Sequence, residues 1–215
     1  MKTIFVNGLS GKMGKTIKNL ILDNADFEIV KTISDSDLVI DFSRPESTMP
    51  LVQEAKEHKK PLIIGTTGFT EIEVKLIEEA STEIPIMLSF NMSRGIYYFK
   101  KNIKQFLNDN SDSLKCLISE TPHTQKVDAP SGTAIELKNF IELNNNQKYI
   151  TSVEIESKRI LDVFGIHEVI FFNDTNHISF KHEALSRKIF ADGAISIAKS
   201  MIGISPGMYT THDFF

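Results

Sequence analysis

Over about the first ninety residues, apolar runs of strand type alternate with helix-type segments without a break. Residues 2–7, 28–33, 38–42, 61–64 and 84–90 read as strands, with cores such as Ile4-Phe5-Val6 and Leu38-Val39-Ile40. Between them lie a helical pattern carrying Ile17, Leu20 and Ile21, a segment from Ser43 to about His58, and another from Thr70 to about Ala80. Ser43 with Glu46, and Thr70 with Glu73, have the spacing of capping boxes, which open helices. Continuous apolar strands separated by helices imply a parallel sheet covered on both faces. That architecture restricts where a ligand can bind: outside the carboxyl ends of the strands.

Three polar turns fall at those ends. The first is Gly8-Leu9-Ser10-Gly11-Lys12-Met13-Gly14, between a strand and a helix. Gly8 and Gly11 let backbone approach a pyrophosphate, and the helix N-terminus offers N–H groups to it. Lys12 and Lys15 add positive charge. The second is Gly65-Thr66-Thr67 and the third Asn91-Met92-Ser93. Asp35 lies about 20 residues beyond the glycine turn, where dinucleotide folds place the acid that holds a ribose hydroxyl. A simple turn role for Asp35 stands equally open.

The pattern changes after residue 93. Ile96, Phe99, Ile103, Phe106 and Leu107 form the core stripe of an amphipathic helix. A strand-like run over 114–119 leads into the loop Glu120-Thr121-Pro122-His123-Thr124-Gln125-Lys126-Val127-Asp128-Ala129-Pro130-Ser131-Gly132-Thr133, and a helix-like run over 134–143 leads out. Strands follow at 150–157, 166–173 and 177–182, with Asn173-Asp174-Thr175-Asn176 as a hairpin turn. Consecutive strands on short connections are expected to pair antiparallel, so residues 94–186 read as a smaller α+β domain. A last helix spans about 187–202.

Charge and composition exclude other classes. Twenty-four basic and 28 acidic side chains give a net charge of −4, which favours neither nucleic acid nor a membrane surface. No apolar run approaches the roughly 20 residues of a membrane span. One cysteine, Cys116, forbids an internal disulfide and fits a cytoplasmic protein. It alternates with Leu114 and Ile118, as a buried thiol would. His177 and His182 are an odd number apart on a strand and face opposite sides, and no His/Cys/Asp cluster has metal-ligand spacing.

These strings together resemble the dihydrodipicolinate (4-hydroxy-tetrahydrodipicolinate) reductase family. The resemblance rests on Gly8-x-x-Gly11-x-Met13-Gly14, Asp41-Phe42-Ser43 with Pro45-Glu46, Gly65-Thr66-Thr67-Gly68, and Asn91-Met92-Ser93-x-Gly95. It continues through Lys126-x-Asp128-Ala129-Pro130-Ser131-Gly132-Thr133-Ala134, Gly165-x-His167, and His182-x-Ala184-x-Ser186-Arg187-x-x-Phe190-Ala191-x-Gly193-Ala194. The Lys126-to-Ala134 string is the most specific of them.

The resemblance implies a Rossmann-like α/β domain of residues 1–93, completed by 187–215, and a substrate-binding and oligomerisation domain of residues 94–186. It implies NADH or NADPH as cofactor, a cyclic dicarboxylate as substrate, and a homotetramer in lysine and diaminopimelate biosynthesis. Cofactor contacts then fall to Gly8, Ser10, Gly11, Lys12, Met13, Asp35, Gly65, Thr66, Thr67, Asn91 and Met92. Substrate contacts fall to His123, Lys126, Ser131, Gly132 and Thr133, with Lys126 and His123 as the catalytic candidates. The chemistry suits these residue types. A Ser-Gly-Thr turn at a helix N-terminus donates to a carboxylate. Lys126 is a cation able to pair with a dianion and give up a proton, and His123 titrates near neutrality.

One departure stands out. The family carries two adjacent histidines after the glutamate and one spacer. Here Pro122 stands at the first, the position assigned proton transfer, and His123 at the second. Proline donates no proton. Either His123 and Lys126 suffice, or activity is lowered, or the chain is a non-catalytic nucleotide- or dicarboxylate-binding paralogue. A different imine or enoyl reductase on the same scaffold is the third reading.

Overall fold

The computed structural model describes residues 1–23, 25–121, 130–158 and 165–215. They divide into two compact units, Met1–Ser93 with Arg187–Phe215, and Arg94–Ser186.

The first unit is built on six parallel strands: β1 (Lys2–Asn7), β2 (Phe27–Val30), β3 (Leu38–Asp41), β4 (Leu62–Ile64), β5 (Pro85–Leu88) and, from the far end of the chain, a strand at Gly207–Tyr209. Their spatial order runs from the Gly207–Tyr209 strand through β5, β4, β3 and β1 to β2. Alternate side chains feed two cores. Ile4, Val6, Leu38, Ile40, Ile63 and Met87 lie with helix α1 (Lys12–Leu22) and a C-terminal helix at Lys188–Met201. Val39, Leu62, Ile64 and Ile86 lie with α2 (Pro45–Glu57) and α3 (Glu71–Ala80). Every residue of β3 is buried, as a strand sandwiched between helices requires.

Two expectations about helix starts part ways. The Thr70–Glu73 box forms in both directions: Glu73 N–H donates to Thr70 Oγ1 at 3.2 Å and Thr70 N–H to Glu73 Oε2 at 2.7 Å. The Ser43–Glu46 box does not form. Arg44 is the N-cap and Pro45 enters the first turn, while the Ser43 hydroxyl donates to Asp41 Oδ1 at 2.5 Å. A buried carboxylate outcompetes the helix end for that hydroxyl.

The second unit contains α4 (Arg94–Asp109), β6 (Leu114–Thr121), α5 (Gly132–Asn144), β7 (Ile150–Ser157), β8 (Ile166–Phe172) and β9 (His177–Glu183). The order in its sheet is β7-β6-β8-β9. The hairpin at residues 173–176 joins antiparallel β8 and β9, closed by Asn173 N–H to Asn176 O at 3.0 Å. The expected antiparallel pairing of β7 with β8 is corrected: β6 lies between them, parallel to β7 and antiparallel to β8. One face carries Cys116, Ile118, Val169 and Phe171 into a core with α4 and α5. The C-terminal segment returns to the first unit as the helix already noted, α6 (Lys188–Met201), and β10 (Gly207–Tyr209). The short strand β10 had no counterpart in the sequence reading.

Candidate functional site

In the first sheet the strand order reverses between β1 and β3, because β2 flanks one side of β1 while β3, β4 and β5 extend on the other. The crevice at such a reversal is where parallel sheets take ligands. Gly8 leaves β1 at this point with φ of +82°, and a Cβ there would lie 2.4 Å from Phe42 O, at the end of β3. A Cβ on Gly14 would lie 2.2 Å from Gly8 O, so only glycine lets α1 begin this close to the turn. Gly11 is the N-cap of α1 and brings no side-chain hydrogen bond, and the first turn holds no acid. Ser10 and Lys12 are exposed and Met13 half-buried on the same turn. A narrow backbone cradle at a helix start without a side-chain cap fits the pyrophosphate of a dinucleotide.

The strand ends around this turn are tied by one buried side chain. Asp41, fully buried, accepts from Asn7 Nδ2 (2.7 Å) and Ser43 Oγ (2.5 Å) on Oδ1. On Oδ2 it accepts from Thr48 Oγ1 and Thr66 Oγ1, both at 2.6 Å. Thr66 Oγ1 in turn accepts from Ser43 N–H at 2.8 Å, and Gly65 N–H donates to Asp41 O at 2.9 Å. Asp41 thereby fixes the ends of β1, β3 and β4 to one another and to α2. Thr67, half-buried, follows Thr66 on this edge.

At the end of β5, Asn91 and Met92 are buried. Ser93 N–H donates to Asn91 Oδ1 at 3.0 Å. A Cβ on Gly193 of α6 would come within 1.8 Å of Met92 O, so α6 rests directly on the backbone of this turn. Asp35 is elsewhere. Its carbonyl accepts from Thr3 Oγ1 at 2.9 Å and its carboxylate from Thr32 Oγ1 at 2.5 Å. Thr3 lies near the start of β1, five residues or roughly 16 Å of strand short of Gly8. The cause is the connection. β2 ends level with Phe5 and β3 begins level with Ile4, so seven residues suffice to cross β1, where parallel crossovers ordinarily need a dozen or more.

In the second unit, Ser131 is the N-cap of α5, with Ala134 N–H donating to its Oγ at 3.1 Å. Its own N–H donates to Glu120 Oε1 at 2.8 Å, and Ser157 Oγ donates to the same oxygen at 2.5 Å. Glu120 is fully buried and its Oε2 accepts no hydrogen bond from the described residues. His167 Nε2 lies 3.5 Å from Ser131 Oγ and 3.9 Å from Glu120 Oε2. Gly132 opens α5 and Thr133 is buried in its first turn. Lys100 of α4, itself buried, pairs with Glu136 of α5 and lies 5.8 Å from the centre of the Phe140 ring. His123 and Lys126 lie outside the described residues, as does Pro122. Among the described residues no cluster of His, Cys, Asp or Glu is placed to hold a metal ion, and no helix is long and apolar enough to cross a membrane.

The chain matches the family model described as "Dihydrodipicolinate reductase, N-terminus" over residues 2–38 and 31–92. It matches "Dihydrodipicolinate reductase, C-terminus" over residues 95–215. The chain belongs to the dihydrodipicolinate reductase family. A protein of Caldanaerobacter subterraneus subsp. tengcongensis named 4-hydroxy-tetrahydrodipicolinate reductase is 35% identical over 246 aligned positions, covering 99% of this chain and 98% of the relative. The protein of that name from Rickettsia bellii is 38% identical, covering 99% and 94%. Among solved structures, a dipicolinate-bound dihydrodipicolinate reductase from Paenisporosarcina sp. TG-14 superposes with a TM-score of 0.75 at 17% identity, covering 98% of this chain and 97% of that one, which shows the shared fold. The first unit is thus the nucleotide-binding Rossmann-like domain of the family. The 246 positions exceed the 215 residues present, so the relative carries segments absent here. The two stretches of the N-terminal match meet at the short β2–β3 crossover.

Sequence reasoning named Asp41 only as part of a family string, and left it, Glu120 and His167 without a role. A signal existed for the acids. Asp41 ends a run whose other members are all core, and Glu120 continues the core register of Cys116 and Ile118. An acid in a core register is buried only when hydrogen-bonded or paired.

Proposed function

We infer that the protein is a 4-hydroxy-tetrahydrodipicolinate reductase of lysine and diaminopimelate biosynthesis. The observation that carries this reading is the match of both units to the two halves of one family, with an anion-ready helix start in the first. When bound, a reduced nicotinamide supplies the hydride. The chain's own residues do the rest. The Gly8-to-Met13 turn and the N-terminus of α1 take the pyrophosphate, with residues 65–67 and 91–92 completing the edge. The turn at Ser131, Gly132 and Thr133 takes a carboxylate of the cyclic dicarboxylate. Ser131 acts as N-cap and orienting residue, since its N–H is committed to Glu120. Lys126 neutralises the dianion, and Lys126 or His123 gives the proton that follows the hydride.

NADPH is used at least as readily as NADH. The support is the place of Asp35, tied to Thr3 at the start of β1. The carboxyl end of β2 is followed by Lys31 and Thr32, with no acid to repel a 2′-phosphate. The working form is a cytoplasmic homotetramer. In the second sheet, Leu117, Ile170 and Phe172 face away from α4 and α5, and all are partly exposed. Such a face suits burial against other copies.

Oxidation of NADH and NADPH by the pure protein, dependent on the product of dihydrodipicolinate synthase, tests the reaction. Lys126→Ala should lose most of the activity. No turnover with either nucleotide, beside tight binding of pyridine-2,6-dicarboxylate and NADH, would establish the non-catalytic reading instead, which no relative named above favours.

A further inference from the structure

The second sheet carries a polar row on its helix-covered face. Ser157, Glu120, His167 and His182 are successive cross-strand partners on β7, β6, β8 and β9. The neighbouring row, Ile155, Ile118, Val169 and Phe180, is wholly apolar. Cross-strand partners share a face, so the polar row closes the core beneath the start of α5. Three of its members converge on Ser131 or its cap. Glu120 Oε1 holds the Ser131 N–H and the Ser157 hydroxyl, and His167 Nε2 sits beside the Ser131 hydroxyl.

The protonation of His167 follows from the geometry. Among the described residues Glu120 Oε2 is buried with no donor on it, and His167 Nε2 lies 3.9 Å away. A bare nitrogen lone pair facing a buried carboxylate oxygen is repulsive, whereas an N–H there satisfies it after a shift of about 1 Å. The Ser131 hydroxyl already accepts from Ala134 N–H and keeps one hydrogen to give. With Nε2 deprotonated, that hydrogen is drawn to the imidazole. With Nε2 protonated, it is left for an anion at the helix start.

We propose that Glu120 and His167 form a buried carboxylate–imidazole pair that positions the Ser131 turn for carboxylate binding, with His167 carrying its proton on Nε2. The pair acts through Ser131 and is a positioning device. This inference rests on the reading that the Ser131 turn binds the dicarboxylate.

Two measurements test it. The first is calorimetry with pyridine-2,6-dicarboxylate at saturating NADH, on wild type, Ser131→Ala, His167→Ala, His167→Asn and the Ser131→Ala/His167→Ala double variant. Each single alanine variant should weaken the dicarboxylate by tenfold or more, and the double variant should be no weaker than the worse single. His167→Asn should recover part of the loss, because its amide still donates. Nucleotide affinity should stay within twofold throughout. Losses that multiply in the double variant, a parallel fall in nucleotide affinity, or a His167→Ala protein that binds like wild type would overturn the pair. The second is nitrogen-15 NMR of the histidines without dicarboxylate. It should find His167 protonated on Nε2 in wild type and altered in Glu120→Gln. A neutral imidazole protonated on Nδ1 alone refutes the pair whatever the ligand does. Wild type that binds no dicarboxylate while His167 is protonated on Nε2 would instead strike at the proposed substrate, and would overturn the link from the pair to carboxylate binding.

Discussion

Replacing Asp41 gives the most exacting test of how the nucleotide edge is held. The carboxylate accepts four side-chain donors and has no contact with solvent. Hydrogen bonds to a charged group contribute about 1.5–3 kcal/mol each, before the desolvation of the carboxylate is set against them. In Asp41→Ala three donors keep an alternative acceptor: Asn7 Nδ2 on Ser47 Oγ (3.0 Å), Ser43 Oγ on Arg44 O (3.4 Å) and Thr48 Oγ1 on Arg44 O (3.0 Å). Thr66 Oγ1 has no second acceptor among the described hydrogen bonds. The expected loss is therefore about 3–5 kcal/mol, the range for removing one partner of a buried charged network. Asp41→Asn keeps the shape but exchanges two accepted bonds for donors, and should cost about half as much. The chain has no tryptophan, so urea unfolding is best followed by far-UV circular dichroism. Thr48→Val should cost much less in the Asp41→Asn background than in wild type, because the two share one bond. Nucleotide affinity should fall with stability, since the same carboxylate holds the ends of β1, β3 and β4. An Asp41→Ala protein within about 1 kcal/mol of wild type, or strict additivity with Thr48→Val, would refute the hub.

Three further outcomes follow from other contacts. Gly193→Ala should destabilise by about 3 kcal/mol or more, read in the same urea experiment, because the new Cβ meets the Met92 carbonyl and backbone must move. Burial pushes the Cys116 thiol up to about 12, so a thiol-selective reagent at pH 8 should label it only after unfolding. That stabilising preference for the protonated thiol is complete below its ordinary value and lost as pH rises from there towards 12. Burial pushes His182 down, so the folded state favours the neutral ring; its contribution is present above the ordinary value near 6.5 and is lost as pH falls below it. His182→Phe should flatten the stability profile between pH 5 and 7.

The parallel sheet was legible because β1, β3, β4 and β5 are short unbroken apolar runs, and no half-exposed strand reads that way. The second sheet was less legible. β7 and β8 are neighbours in sequence, yet β6, from before α5, inserts between them. Pairing of that kind is decided by burial of one face, which no local pattern records. β10 escaped because three residues with no buried member carry no periodicity. The glycine turn was readable because its chemistry is confined to consecutive residues. Counting about 20 residues on from the glycine turn reaches Asp35, which lies five residues past the end of β2, in the seven-residue connection to β3. Asp41 and Glu120 work through partners far along the chain, visible only once the strands are aligned.

The return of the chain's end to its beginning sets an order on synthesis. On the ribosome, the first five strands emerge long before α6, so Ile4, Val6, Ile40 and Met87 wait without the Ala191, Ala194, Ile197 and Ala198 face that covers them. The second unit is contiguous in sequence and can close first. The nascent N-terminal sheet is thus the part of this molecule exposed to chaperones and to premature pairing, and it reaches its native state only when the last thirty or so residues arrive.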